Sequence, residues 1–281
     1  MLEQHLPDAD GIVAGRLWPD KFAKADNLKA LFIPFAGYDA FDIEQIAQRG
    51  VIIANSHGAS SYVAERAIGL AISLLGKICY FSRELREGCW HRGEFWTAMQ
   101  DLKIGIWGVG SIGKNIARLL SGFHCPAFGF SRKKKSQEKY FDEIFTDVDK
   151  FIEIVDIFFI TIPLTNSTRG SIDEIVLGKM NGKYLIHISR GPVVEEKALY
   201  NALKNGILKG ASLDCWYNYP RGKKQPILPS AYPFHKLDNI LLSPHACSHT
   251  DTARAANIEM TRKNIDAFID TGMPISIVEV E

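Results

Sequence analysis

Three separated parts of this chain carry residues whose types and spacing could do chemistry. In KIGIWGVGSIGKNIARLL, Gly108, Gly110 and Gly113 form a G-x-G-x-x-G between an apolar run and an amphipathic one. In such a turn the first glycine permits the sharp bend, the second lets a pyrophosphate approach the backbone, and the third lets a helix pack against the strand. The N–H groups that open the helix, at Ser111 and Ile112, would then face the phosphates. Arg190, in HISRGPVVEEKAL, and His245, in ILLSPHACSH, each follow a strand pattern, the place where open α/β sheets bind ligands. A guanidinium there suits a carboxylate in a two-pronged grip, and an imidazole suits proton transfer near neutral pH. Taken singly, each has a plainer reading, Arg190 as a loop clamp and His245 as a packed or solvated side chain.

The residues past the second strand indicate which dinucleotide is meant. An acidic side chain about 20 residues beyond the turn would bond the ribose 2′-hydroxyl of NAD. Here the chain reads Phe130-Ser131-Arg132-Lys133-Lys134-Lys135, with no carboxylate. A hydroxyl beside a guanidinium and an ammonium suits a 2′-phosphate, because the planar Arg fork matches phosphate oxygens and stacks on adenine. Ser131, Arg132 and Lys133 are therefore assigned to the cofactor, and NADP(H) is expected over NAD(H). Lys134 and Lys135 read as a solvated face.

These groups need a frame to position them. From residue 103 onward, strand patterns at 104–107, 127–130, 157–162, 183–188, 211–215 and 239–242 alternate with helical ones such as 111–121 and 195–205. Several strands are apolar at successive positions, as strands covered on both faces must be. Repeated units of this kind predict a doubly wound parallel α/β sheet with right-handed crossovers. Earlier, 28–35 and 50–56 read as strands around a helix at 41–50. The stretch 60–78 is apolar nearly all round, which suits a helix buried between two domains. A last helix, 250–271, could return to the first domain. The expected division is a smaller domain at 1–76, completed by 251–281, and a dinucleotide-binding domain at 77–250.

Composition excludes other classes. With 281 residues, 46% hydrophobic, the chain can build real cores. Lys and Arg number 33 against 32 Asp and Glu, so no overall field favours nucleic acid or an anionic membrane. The sequence lacks an apolar run of about 18 residues, and MLEQHLPDADG does not read as a secretory signal. Its five cysteines form no C-x-x-C pair, which points to a reducing, cytoplasmic setting and to no disulfide or zinc framework. His245, Cys247 and His249 alternate, but no fourth ligand has suitable spacing, and no metal is expected.

Read in order, VAERAIGLAISLL, GVGSIGKNIARLL, IPLTNSTRG, ISRGPVVEEKALYNALKNGILKGASLDCW and LDNILLSPH strongly resemble the D-isomer-specific 2-hydroxyacid dehydrogenases over about residues 8 to 270. The resemblance implies a nicotinamide enzyme interconverting a 2-oxo acid and a D-2-hydroxy acid, usually a homodimer. It implies a Rossmann-type cofactor domain and a smaller, discontinuous, flavodoxin-like substrate domain. By matching motif, Arg190 would bind and polarise the substrate and His245 would protonate the carbonyl oxygen. Asp214 would contact the nicotinamide carboxamide, and Pro163 and Thr168 would line the cofactor. In PFAGYDAFD, Ala36 and Gly37 would grip the carboxylate through the backbone. Trp90, Phe95 and Trp96 would belong to a dimer arm.

Two departures stand out. The family places a glutamate five residues past the aspartate that matches Asp214, where it bonds the catalytic histidine; here Tyr219 takes that place. A phenol can orient the ring but supplies no charge to favour imidazolium. The stretch before the long helix is also short, so the usual first strand and helix of the smaller domain are expected to be missing or to begin upstream. The rival reading is a dinucleotide-sensing binding protein on the same fold, its catalytic pair run down.

Overall fold

The computed structural model describes residues 4–16, 19–133, 137–220 and 227–280; Lys134 and Lys135 lie outside them. The chain divides into two compact units, Ser61–Cys247 and Met1–Ser60 with Ser248–Glu281. In the smaller unit, β1 (Gly11–Val13), α1 (Pro19–Phe22), β2 (Ala30–Ile33), α2 (Ile43–Gln48) and β3 (Ile52–Asn55) build a parallel sheet in the order β1-β2-β3. β1, a three-residue strand, is not among the strands that the sequence pattern predicts. Leu31, Ile33, Ile53, Phe22 and Ile46 form its core, and Asp42 caps α2 by accepting from the Gln45 N–H.

The larger unit follows as α3 (Ser60–Leu75), α4 (Ile78–Arg86), β4 (Ile104–Trp107), α5 (Ser111–Leu120), β5 (Ala127–Phe130), β6 (Glu143–Phe145), α6 (Val148–Ile154), β7 (Ile157–Ile160), α7 (Glu174–Lys179), β8 (Tyr184–His187), α8 (Glu196–Lys204), β9 (Gly210–Leu213) and β10 (Ile240–Leu242). Last, α9 (Asp251–Thr271) lies in the smaller unit, where Phe268 packs edge-on against Phe32. Among the described residues no helix is long and apolar enough to cross a membrane.

The division falls at residue 60 rather than at the expected 76. Val63, Ala67, Leu70, Ala71 and Leu75 of α3 pack into the core that holds Ile104 and Ile157, so this helix belongs with the larger sheet. It stops at Leu75, and the chain resumes as α4 after Lys77, whose φ of 49° breaks the helical path.

All seven strands of the larger sheet pair in parallel, in the order β10-β9-β8-β7-β4-β5-β6. This is the Rossmann-type α/β arrangement expected. Alternate residues of one strand serve opposite cores: in β7, Ile157 and Phe159 join one cluster, while Phe158 and Ile160 join the other. Both faces are covered, which is why the strands are continuously apolar. Rings of Trp107, Phe130, Phe151 and Phe158 interlock on one face at centroid distances of 5.0 to 6.4 Å. Each fully buried ring of this kind contributes about 1.5–3 kcal/mol.

Candidate active site

Because the seven strands run in parallel, the loops leaving their carboxyl ends share one edge of the sheet. They carry the glycine turn after β4, Ser131 after β5, Pro163 after β7, Arg190 after β8, Asp214 after β9 and His245 after β10. The strand order reverses between β4 and β7, and such a switch point is where open α/β sheets take their ligands.

Steric demands shape the glycine turn. Gly108 has φ of 117°, a region that side chains avoid, and an added Cβ would lie 2.8 Å from Thr161 Oγ1. At Gly113 an added Cβ would come within 2.1 Å of the Gly108 carbonyl oxygen, so helix and strand could not approach as they do. Gly110 differs: nothing lies within 4 Å of the position its Cβ would take. That open space stands at the head of α5, where Ser111 and Ile112 begin the helix. Two glycines thus serve packing, and the third leaves room for a phosphate at the helix N-terminus. The turn fits a dinucleotide on this ground. Thr161 fastens it by donating to the Gly108 carbonyl at 2.9 Å.

Beyond β5, Ser131 donates to the Lys133 carbonyl at 2.9 Å, and exposed Arg132 donates to Ser167 Oγ at 2.7 Å. Arg132 is thereby directed to the loop that follows β7. Within that loop Pro163 is exposed, but Thr168 is buried, donating to the Pro163 carbonyl at 2.6 Å and accepting from the Thr165 N–H at 2.8 Å. The Thr168 hydroxyl closes its own loop and holds Pro163 in place.

The third group is bound together by hydrogen bonds. Asp214, only 2% exposed, accepts from Ser243 Oγ, from the Ala246 N–H at 2.8 Å and from the Cys247 N–H at 3.0 Å. These bonds pin both sides of His245, whose φ of 57° is unusual for a side-chain-bearing residue. Such conformations cost of order 1–3 kcal/mol and persist where surroundings enforce them. The imidazole Nδ1 lies 2.6 Å from Tyr219 Oη. The same phenol oxygen accepts from the Trp216 N–H at 3.2 Å, and Trp216 Nε1 donates to the Ser243 carbonyl at 2.8 Å. Tyr219 is therefore in direct contact with the histidine. Beside it a cavity of about 310 Å³, bordered by Trp216, Pro220, Leu228, Phe234 and Leu242 among others, is largely apolar.

Below this corner sits His187, at the end of β8 and 1% exposed. Burial pushes its imidazole from the ordinary 6.5 down to about 4, against the opposing pull of the Gly191 and Arg190 backbone. Its Nε2 faces the Gly191 carbonyl at 3.4 Å, and Nδ1 has no protein partner among the described residues. His187 is neutral at physiological pH. Arg190, half-buried, leads into the short turn at Gly191–Val193 and donates to the Ser189 carbonyl at 3.0 Å. Burial raises the thiols of Cys215 and Cys247, so neither offers a thiolate.

In the smaller unit, Ala36 and Gly37 are half-buried in the loop after β2. Asn55 Nδ2 donates to the Ala36 carbonyl at 2.8 Å. Asn55 is itself held by Asn264 of α9, which donates to its carbonyl at 3.1 Å, and by Ser276. Sequence reasoning missed Asn55, Thr161, Trp216 and Ser243. For Asn55 and Ser243 the signal was a polar residue at the end of an apolar strand pattern.

Known proteins resemble this chain in sequence and in fold. Residues 68–247 match the family described as D-isomer specific 2-hydroxyacid dehydrogenase, NAD binding domain. A glyoxylate reductase of Thermofilum pendens is 34% identical over 266 residues, spanning 92% of this chain and 76% of that protein. A glyoxylate/hydroxypyruvate reductase A of Arabidopsis thaliana is 33% identical over 245 residues, spanning 86% and 75%. Among solved structures, an NADPH-dependent glyoxylate/hydroxypyruvate reductase of Sinorhizobium meliloti, in complex with NADP and malonate, superposes with a TM-score of 0.80 at 28% identity. That match covers 97% of this chain and 85% of that one.

Proposed function

The chain belongs to the D-isomer-specific 2-hydroxyacid dehydrogenase family, and from that premise we propose that it reduces a small 2-oxo acid, glyoxylate or hydroxypyruvate, with NADPH as the donor. The observation that carries the reading is the shared sheet edge. Arg190 and His245 leave the same edge as the glycine turn, and Tyr219 fixes the imidazole at 2.6 Å. A protein that only senses the dinucleotide needs neither of the first two.

When bound, the nicotinamide supplies the hydride that the carbonyl carbon takes up. Gly110, Ser111 and Ile112 would hold the pyrophosphate in the turn that Gly108 and Gly113 shape; Ser131, Arg132 and Lys133 would hold the 2′-phosphate; Pro163, positioned by Thr168, and Asp214 would complete the cofactor side. Arg190 grips the substrate carboxylate and polarises the neighbouring C=O. His245 delivers a proton to the carbonyl oxygen, with Tyr219 orienting its ring. A homodimer in the cytoplasm belongs to the same reading, supported by the exposed rings of Trp90, Phe95 and Trp96, which give a second copy apolar surface to cover.

The test is loss of NADPH absorbance with glyoxylate, hydroxypyruvate and pyruvate in turn. We expect turnover on at least one, His245→Ala lowering kcat by about 10²–10⁴-fold, and Arg190→Ala raising KM for the oxo acid. Tight NADPH binding with no turnover on any of the three would overturn the enzymatic reading in favour of the sensor.

A further inference from the structure

Away from that edge, on the surface of the larger unit, Glu84, Cys89 and His91 bring three different donor atoms within 4.8 Å of one another. None of them takes part in the site described above. Glu84 lies in the last turn of α4, which ends at Arg86. The chain then reverses through Gly88, at φ of 80°; the Cys89 N–H donates to the Glu84 carbonyl at 2.9 Å and the Gly88 N–H to the Leu85 carbonyl at 3.1 Å. This paired closure, which only a residue tolerant of the left-handed region allows, folds Cys89 back over Glu84. A tight bend follows, with the Arg92 N–H donating to the Trp90 carbonyl at 3.2 Å, and it returns His91 to the same place.

The side chains are braced there. His91 Nε2 lies 3.2 Å from Glu84 Oε2, and its ring stacks on Tyr80, one turn back on α4, at 5.9 Å and 26°. Arg83 Nε donates to Glu84 Oε1 at 3.1 Å, so the other carboxylate oxygen is the one turned to the imidazole. Tyr80 is fixed in turn, its hydroxyl donating to Glu94 Oε1 at 3.0 Å while Lys77 Nζ holds Glu94 Oε2 at 2.6 Å. Cys89 is exposed and so accessible to an ion.

We propose that Glu84, Cys89 and His91 form a Zn²⁺ site that clamps the chain beyond α4 onto the helix, with water as the fourth ligand. One thiolate, one imidazole and one carboxylate are a zinc donor set, whereas Ca²⁺ and Mg²⁺ demand oxygen alone. On binding, the Cys89 thiol gives its proton to solvent as the Zn–S bond forms. The pattern Glu84-x₄-Cys89-x-His91 escaped a search for paired cysteines because two of its ligands are not cysteine and one is on a helix. A simple ion pair between Glu84 and protonated His91 is the competing account; it explains two of the groups and gives Cys89 no part.

The metal-free full-length protein, kept in a non-thiol reductant, should be titrated with Co²⁺ and then Zn²⁺. We expect one equivalent of Co²⁺ to bind with a thiolate-to-metal charge-transfer band and the visible bands of a tetrahedral ion, all displaced by Zn²⁺. Loss of a support around a metal ligand costs about 10–100-fold in affinity, so Cys89→Ser and His91→Ala should each weaken Zn²⁺ by at least about tenfold. Cys89→Ser should also abolish the charge-transfer band, and Cys79→Ser, at the other exposed cysteine of this segment, should change neither. The site is refuted by any of three results: no saturable Co²⁺ binding, binding without the thiolate band, or unchanged Zn²⁺ affinity in both Cys89→Ser and His91→Ala.

Discussion

The glycine turn and the corner around His245 occupy one edge of one sheet, yet they are held by opposite means. At Gly108 and Gly113 the backbone comes so close to its neighbours that a side chain has no room. At Asp214, Ser243, Trp216 and Tyr219 the structure depends on polar atoms being present and paired. The first kind of site fails when an atom is added, the second when one is removed or its charge changes. A turn built by exclusion tolerates no added atom, whereas a corner built by hydrogen bonds is sensitive to a single side chain such as Tyr219.

The sharpest challenge to that contrast is Gly113→Ala, whose new methyl would meet the Gly108 carbonyl at 2.1 Å. Overpacking costs about 1–3 kcal/mol and occasionally more; with backbone as the obstacle, about 3 kcal/mol or more of unfolding free energy should be lost, measured by denaturant titration. Gly110→Ala, with open space around it, should cost less than about 1 kcal/mol while still weakening dinucleotide binding. Equal stability losses in the two variants would dissolve the distinction between packing glycines and a ligand-facing one.

In the hydrogen-bonded corner, pH supplies the comparable stress. The unfolded chain takes up a proton on His187 near 6.5, the folded protein only near 4. Between those values the unfolded state holds more protons, so stability falls as pH falls, by about 3 kcal/mol at the acid end. Unfolding free energies at several pH values across that window should carry this slope, and His187→Leu should lose it. A slope that survives the substitution would assign the effect to other groups.

A smaller effect is expected where the turn meets the exposed Arg132, which rests on Ser167. Charge-assisted bonds of about 1.5–3 kcal/mol make Arg132→Ala weaken NADPH about ten- to a hundredfold and barely touch NADH. Parallel losses for both dinucleotides in equilibrium binding would end the assignment to the 2′-phosphate. The mildest change is Tyr219→Phe, which removes one orienting hydrogen bond worth about 1 kcal/mol and should lower kcat about fivefold with little change in NADPH affinity. Tyr219→Glu should restore the rate and move the basic limb of the reduction profile upward, since a carboxylate favours imidazolium; a stationary limb would mean that the phenol does not govern His245.

Much of the larger unit was legible in its sequence. Ile104–Trp107, Ala127–Phe130 and Ile157–Ile160 were visible because strands buried on both faces have few polar residues to blur them. β1 and β6, three residues each at the edges of their sheets, were not visible, although β10, equally short, was. Among site residues, the glycines were readable because their demand is local. The role of Asp214 was not: its bonds reach residues 29 to 33 positions away, and spacing alone could not show that its carboxylate holds the His245 loop.

What the order of residues settled alone was the parallel sheet and the turn at its switch point, since apolar continuity and a missing Cβ act on their nearest neighbours. Which side chains meet at the far ends of the strands was left to tertiary folding. Tyr219 reaches His245 across 26 residues, and Asn264 steadies Asn55 across 209. Such contacts exist only once separate loops have been brought to one place, because a hydrogen bond acts over about 3 Å and the chain between its partners sets no distance of its own.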